Sequence, residues 1–301
     1  MTTLDTPTTR TAPLLFVGGG NMCRAIVEGG IAAGLLRPDG VIVCEIDDAK
    51  RTEWAARGFA AVSNVSEGMR LLAARESVAG AGHVLLAVKP QMVDGAATAL
   101  RSSLDTNGVT RTVVSILAGT RTEMLERLLG SRARVVRVMP NTPAQIRMGC
   151  SAVALGRSAS PGDDAFTRTL FAALGRVVSL EERLFDAFTA VAGSGPAYVF
   201  YLAEAMTKAA VQQGIAEADA DDIVRSVLHG SAALLVGETA KPAADLRAAV
   251  TSKGGTTAAA IGVLDAQGVM QTMAEAIAAA TRRGAELSRG AGSHPTPSPR
   301  G

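Results

Sequence analysis

The chain has 301 residues, 48% of them hydrophobic but only 3% aromatic, and a net charge of +2. That length supports a large aliphatic, Ala-rich core in two domains, or in one domain with a helical extension. The small charge, with no Lys/Arg stripe interleaved with aromatics and no apolar run of membrane-spanning length, argues against nucleic acid and membrane as partners.

Residues 1–12, with Thr2, Thr3, Asp5 and Thr6, read as a disordered arm rather than a signal peptide. Leu14 to Val17 is a short buried strand, followed at once by Gly18-Gly19-Gly20-Asn21-Met22-Cys23 and an amphipathic helix from Arg24 to Ala33. Strand, glycine turn and helix together form the context of a dinucleotide fingerprint. In it Gly18 makes the tight turn, Gly20 lets a pyrophosphate reach the backbone, and Cys23 stands where a third small residue would sit; the alternative is a structural turn. A second strand, Val41 to Cys44, ends at Glu45, whose carboxylate suits ribose hydroxyls and repels a 2′-phosphate. Glu45 thus favours NADH, whereas Lys50 and Arg51 just beyond it keep NADPH open. Asp47 and Asp48 fit a solvated acidic loop equally well.

Alternation continues with a helix near Lys50 to Arg57, a strand near Phe59 to Val62, a helix from Met69 to Ala74 and a strand from His83 to Val88. Lys89-Pro90-Gln91 stops that last strand, and its carboxyl end belongs beside the cofactor. Lys89 reaches a phosphate there or is a solvated lysine in a turn. A strand at Thr112 to Leu117, a helix at Arg121 to Leu129 and a strand at Arg134 to Met139 lead into Pro140-Asn141-Thr142-Pro143. In this extended loop Asn141 offers a donor and an acceptor to a ligand, or forms a plain Asx turn. The alternation predicts a parallel, doubly wound sheet over 13–180, extended by Ser151 to Leu155 and Arg176 to Ser179 around a helix near Asp163 to Leu174.

From about Glu181 strand signals vanish, and helices are expected at Leu184 to Ala192, Pro196 to Gln213, Ala218 to Glu238, Ala243 to Val250, Thr256 to Asp265 and Met270 to Leu287. This helical domain, 181–288, has the Ala, Gly and Leu content of helices packed closely, shared between two chains. Within it Thr251, Ser252, Gly254, Gly255, Thr256 and Thr257 mark a helix end, a tight turn and a new helix start. Such a start presents unpaired N–H groups and positive dipole charge to a small anion such as a carboxylate; an ordinary helix corner is the alternative. The proline-bearing tail at 289–301 reads as disordered. Cys23, Cys44 and Cys150 show no C-x-x-C spacing, and His83, His229 and His294 no ligand spacing. The expectation is a reducing, cytoplasmic setting with no metal.

With GGGNM, AVKPQ, RVMPNTP, AGSGPAY (Ala192 to Tyr198) and SKGGTT in this order, residues 14 to 287 resemble the pyrroline-5-carboxylate reductases. The resemblance implies an α/β chain: an N-terminal Rossmann-type doubly wound sheet, then an all-helical C-terminal domain for substrate binding and dimerisation. It implies NADPH- or NADH-dependent reduction of 1-pyrroline-5-carboxylate to L-proline, the last step of proline biosynthesis. It further implies a homodimer, often assembled further, with the active site between one chain's nucleotide domain and its partner's helices. Ser252, Gly255 and Thr256 match the family's carboxylate-binding positions, and Thr257 the threonine whose hydroxyl lies near the ring nitrogen, the candidate catalytic residue. Gly18, Gly20, Asn21 and Met22 match the pyrophosphate turn, Val88, Lys89 and Pro90 the loop along the nicotinamide ribose, and Asn141 the loop near the nicotinamide. Lys253 replaces the family's usual proline and adds charge beside the carboxylate site; Cys23 replaces its common alanine. Rival readings are a reductase of a related cyclic imine, a hydroxyacid dehydrogenase, whose helix lysine is Val199 here, a serine hydrolase at Ser194, which lacks the nucleophile-elbow glycines, and a non-catalytic nucleotide sensor.

Overall fold

A computed structural model describes residues 12–79 and 82–290. The arm expected at 1–12 lies outside them except for its last residue. Of the tail expected at 289–301, only residues 289 and 290 are described, and both belong to the last helix.

Among the described residues, eight strands form one sheet in the order β3-β2-β1-β4-β5-β6-β7-β8. They are β1 (Leu14–Val17), β2 (Val41–Cys44), β3 (Ala60–Val62), β4 (His83–Leu86), β5 (Arg111–Ser115), β6 (Ala133–Met139), β7 (Gly149–Leu155) and β8 (Gly175–Ser179). β1 and β2 are buried at every position, which is why they read as unbroken apolar runs rather than alternating ones. Alternate side chains feed opposite layers. Leu15 and Val17 pack with Met69, Leu72, Leu100 and Leu125 on one face. Leu14 and Phe16 pack with Ile26, Val27, Trp54 and Phe171 on the other. The helices that cover these faces are α1 (Asn21–Ala32), α2 (Asp48–Ala56), α3 (Val65–Ala79), α4 (Val93–Asn107), α5 (Thr122–Leu129) and α6 (Ala165–Ala172).

Two features of the sheet and its covering helices depart from the sequence expectation. The sheet is mixed rather than parallel, because β7 runs antiparallel to β6. A parallel return needs a crossover of about a dozen residues, usually a helix. The Pro140–Met148 link offers only a short 3-10 turn, Thr142–Ile146, closed by Arg147 in a left-handed conformation. The second is α4, a helix not expected from the sequence, although Val93, Ala97, Leu100 and Leu104 bury one face at helical spacing.

Among the described residues, those up to Gly193 together with those from Ala280 form one compact unit, and Ser194–Ala279 form the other. This division falls beyond the change of character at 181 because residues 182–188 are tied to the sheet. Glu182 accepts hydrogen bonds from the Thr122 N–H (2.7 Å) and hydroxyl (2.6 Å) and from Arg137 of β6 (2.9 Å). The guanidinium of Arg137 stacks 4.7 Å over the ring of Phe185. In place of one helix over 184–192 there are a 3-10 turn, Glu182–Leu184, a short α7 (Phe185–Phe188) and a π turn, Thr189–Gly193. The ladder widens where the Thr189 hydroxyl donates to the Phe185 carbonyl (2.7 Å).

The second unit is helical: α8 (Gly195–Gln212), α9 (Glu217–Gly237), α10 (Ala243–Ala249), α11 (Thr256–Ala266) and the first half of α12 (Val269–Gly290). Pro196 lies in the first turn of α8, where its missing N–H costs nothing. Of this unit's described residues only Ala220 and Val224 are buried, while Phe200 (68% exposed), Tyr201 (75%) and Val236 (74%) face outward.

His83, at the start of β4, stacks on Phe166 at 4.2 Å, and its Nδ1 is buried without a hydrogen-bond partner. Burial pulls its pKa below the usual value, so the folded protein holds the ring neutral. The unfolded chain takes up this proton near pH ~6.5. The stability linked to His83 is therefore complete above that pH and is lost as pH falls from there through the lowered folded value. The thermal unfolding midpoint of the wild type should fall more steeply than that of His83→Leu as pH drops below about 6.5. Equal slopes would show that His83 contributes nothing to the acid response.

Candidate active site

Two groups of sequence-expected residues are assembled, one in each unit. In the first, a cleft of about 680 Å³ opens at the carboxyl ends of β1, β2, β3 and β4 and along the start of α4, where ligands of such sheets bind. Gly18, Gly20, Glu45, Val88 and Lys89 line it. Gly18 adopts φ +107°, and a Cβ there would lie 2.6 Å from the Ala87 carbonyl oxygen, so the turn excludes every side-chain-bearing residue. Above Gly20 nothing lies within 4 Å of where a Cβ would be. Gly20 is the N-cap of α1 and no side chain caps that helix. The first-turn amides, from Asn21 and Met22 onward, are thus free of an intrahelical partner and carry the positive end of the dipole. An open cradle of this kind fits a pyrophosphate.

Three hydrogen bonds hold the turn. The Gly18 N–H donates to the Cys44 carbonyl (2.8 Å), the Gly19 N–H to Glu45 Oε2 (2.9 Å), and the Trp54 indole N–H to the Gly19 carbonyl (2.9 Å). The other Glu45 oxygen accepts from the Asp47 N–H (3.0 Å). Arg51, a candidate phosphate partner in the sequence, donates instead to the Glu45 carbonyl (3.0 Å) and pairs with Asp48. Lys50 lines the cleft with an exposed side chain. Pro90 opens a 3-10 turn directly after Lys89. Desolvation raises the Cys23 thiol well above its usual range and the Cys44 thiol to about 11, with the Glu45 charge adding to both. Both therefore stay protonated and act as small core groups.

Asn141 does not line the cleft. Its Nδ2 donates to the Ala192 carbonyl (3.0 Å) and its Oδ1 accepts from the Cys150 N–H (2.9 Å), so the side chain ties the β6–β7 loop to the π turn. Sequence reasoning passed over Trp54, Ser63 and Asn64. Ser63 and Asn64 line the cleft, and Asn64 caps α3 by accepting from the Glu67 N–H (2.9 Å). The Asn64-x-x-Glu67 spacing is a signal that was present; no local pattern marks Trp54.

In the helical unit, Gly254 (φ +74°) turns the chain after α10, and Gly255 is the N-cap of α11, again with no side-chain cap. A Cβ on Gly255 would stand 2.5 Å from the Ser252 hydroxyl oxygen, so the glycine brings that hydroxyl against the helix start. Ser252, Thr256 and Thr257 thus lie beside the uncapped amides of α11, the arrangement for holding a carboxylate. Lys253 is exposed in the same turn.

Comparison with known proteins covers both groups. A family described as pyrroline-5-carboxylate reductase dimerisation matches residues 182–287, and one described as NADP oxidoreductase, coenzyme F420-dependent, matches 13–119. The pyrroline-5-carboxylate reductase of Arabidopsis thaliana is 34% identical over 274 residues, 91% of this chain and 95% of that one. That of Haemophilus influenzae is 37% identical over 276 residues, 91% and 97% of the two chains. The solved structure of a pyrroline-5-carboxylate reductase from Coxiella burnetii is similar with a TM-score of 0.80 at 31% identity, over 92% of this chain and 99% of that one.

Gly18→Ala forces a Cβ against the Ala87 carbonyl in a left-handed backbone. The variant should lose about 1–3 kcal/mol of stability and bind dinucleotide at least about tenfold more weakly, read by thermal unfolding and by titration with NADH. Unchanged binding would show that this turn does not cradle the nucleotide.

Proposed function

The chain belongs to the pyrroline-5-carboxylate reductase family, and we propose that it reduces 1-pyrroline-5-carboxylate to L-proline, the last step of proline biosynthesis. The observation that carries this reading is the presence in one chain of a glycine-turn cleft and an uncapped, hydroxyl-ringed start of α11.

The residues have separable tasks. The amides at the start of α11, with the Ser252 and Thr256 hydroxyls, bind the substrate carboxylate and so fix the ring. The Thr257 hydroxyl hydrogen-bonds the ring nitrogen and favours its protonated form, which makes the imine carbon strongly electrophilic. No histidine or carboxylate occurs within 252–257, and the task asks for none, since orientation and charge placement suffice. Lys253 supplies a positive charge next to Ser252 that strengthens attraction for the carboxylate. Gly18, Gly20, Asn21 and Met22 hold the pyrophosphate of the dinucleotide, and Val88, Lys89 and Pro90 flank its nicotinamide ribose. When bound, the reduced nicotinamide supplies the hydride.

Between the two dinucleotides we infer a preference for NADH. Glu45 lines the cleft with a buried carboxylate, which accepts from ribose hydroxyls and repels a phosphate. Arg51 is occupied by its own loop. Lys50 is the remaining cation at that edge and sets how much NADPH is tolerated.

Two copies pair through the helical unit. The unit buries almost none of its own apolar side chains, and a lone helical layer of this kind requires a second one to cover it. The match to a dimerisation family over 182–287 supports the same reading. The three cysteines are unpaired, which supports a reducing compartment, the cytoplasm.

Thr257→Ala should lower kcat by roughly tenfold to a hundredfold, with nucleotide affinity unchanged, in a reduction assay paired with nucleotide titration. Unaltered kcat would remove Thr257 from the mechanism. In sedimentation the protein should run as two chains or a multiple of two; a stable monomer at micromolar concentration would contradict the pairing.

A further inference from the structure

Glu45 is bound into the glycine turn on every side. Oε2 accepts from the Gly19 N–H at 2.9 Å and Oε1 from the Asp47 N–H at 3.0 Å. Its backbone N–H donates to the Val62 carbonyl (2.9 Å) and its carbonyl accepts from Arg51 (3.0 Å). The residue is only 9% exposed. Gly19 in turn is buried, with the Trp54 indole and Val43 so close that a Cβ would meet them at 2.6 and 3.1 Å.

We propose that Glu45 is a latch: its carboxylate holds the glycine turn in the shape that receives the dinucleotide, and being held there in exchange, it cannot turn aside to admit a 2′-phosphate. The proposal rests on reading the cleft as a dinucleotide site. An acidic side chain free in its rotamers discriminates by charge alone, and it relieves the repulsion by swinging into solvent. Here that swing breaks two hydrogen bonds to a charged acceptor and strands the buried Gly19 N–H. Each carboxylate oxygen accepts one bond from the protein and keeps lone-pair capacity for another. Ribose hydroxyls, which donate, satisfy that capacity; a phosphate, which brings only acceptors, does not. The nearest guanidinium offers no escape, because Arg51 is committed to the Glu45 and Ile46 carbonyls and to Asp48. Rejection of the phosphorylated dinucleotide is therefore built into the hydrogen bonds that shape the turn.

The chain contains a single tryptophan, Trp54, bonded to the Gly19 carbonyl, so its fluorescence reports on the turn without any assay of turnover. Full-length wild type, Glu45→Gln and Glu45→Ser are compared by ligand-free Trp54 emission and by dissociation constants for NADH and NADPH. Glutamine keeps an oxygen for the Gly19 N–H, on which Trp54 reports, while its NH2 gives up the Asp47 bond and the charge is lost; serine loses the oxygen as well as the charge. The latch requires that glutamine leave the emission as in the wild type while narrowing the preference for NADH. Serine should shift the emission and weaken NADH binding by about tenfold or more, the cost of a hydrogen bond to a charged group. NADPH should not then bind to the serine variant as tightly as NADH binds to the wild type. If serine leaves the emission unchanged and NADPH binds it as tightly as NADH binds the wild type, Glu45 acts by charge alone and the latch is overturned. If the wild type binds NADPH as well as NADH while serine still shifts the emission, the inferred cofactor preference and the specificity half of the latch both fail, and only the turn-holding half stands.

Discussion

Gly19 is gripped from two sides, its N–H by the Glu45 carboxylate and its carbonyl by the Trp54 indole, and the nucleotide half of the molecule is built outward from that grip. The grip requires β2 to end where Glu45 meets the turn after β1, and the parallel register that pairs Val17 with Cys44 does this. It requires α2 to lie against the sheet so that Trp54 arrives beneath the glycines, and the Trp54–Phe59 edge contact at 5.3 Å under Arg57 holds it there. With the turn held, the first amides of α1 are aimed at the cleft before any ligand arrives. Affinity then costs little ordering at the moment of binding.

The helical half obeys a different constraint. Its helices are apolar around much of their circumference, and α8, α10 and α11 bury no side chain of their own. The layer leaves its apolar side chains exposed, and it lies within residues 182–287, which match a dimerisation family. The α11 start has no side-chain cap from within the chain, which leaves its first amides open to an anion. The same economy operates at α1, where Gly20 caps nothing with a side chain. Both helix starts are open to an anion.

Much of this was readable in the residues. The unbroken apolar runs of β1 and β2, the glycine turn and the hydroxyl-flanked glycines at 252–257 are local patterns whose physical meaning does not depend on distant contacts. What escaped depended on tertiary partners. The antiparallel β7 follows from the short Pro140–Met148 link. The side chain of Asn141 bonds to Ala192 and Cys150, partners no local pattern names. Arg51 lies near enough in sequence to serve a phosphate, but its bonds go to the Glu45 loop. Two features do carry a local signal that the sequence reading leaves unused: the Asn64 cap of α3, at Asn64-x-x-Glu67 spacing, and α4, with Val93, Ala97, Leu100 and Leu104 at helical spacing.

The most direct measurement supplies purified protein with 1-pyrroline-5-carboxylate and, in parallel, NADH or NADPH, following loss of reduced-nicotinamide absorbance and assaying proline. The account requires stoichiometric proline with a higher kcat/KM for NADH. A folded protein that binds dinucleotide yet forms no proline with either cofactor would contradict it.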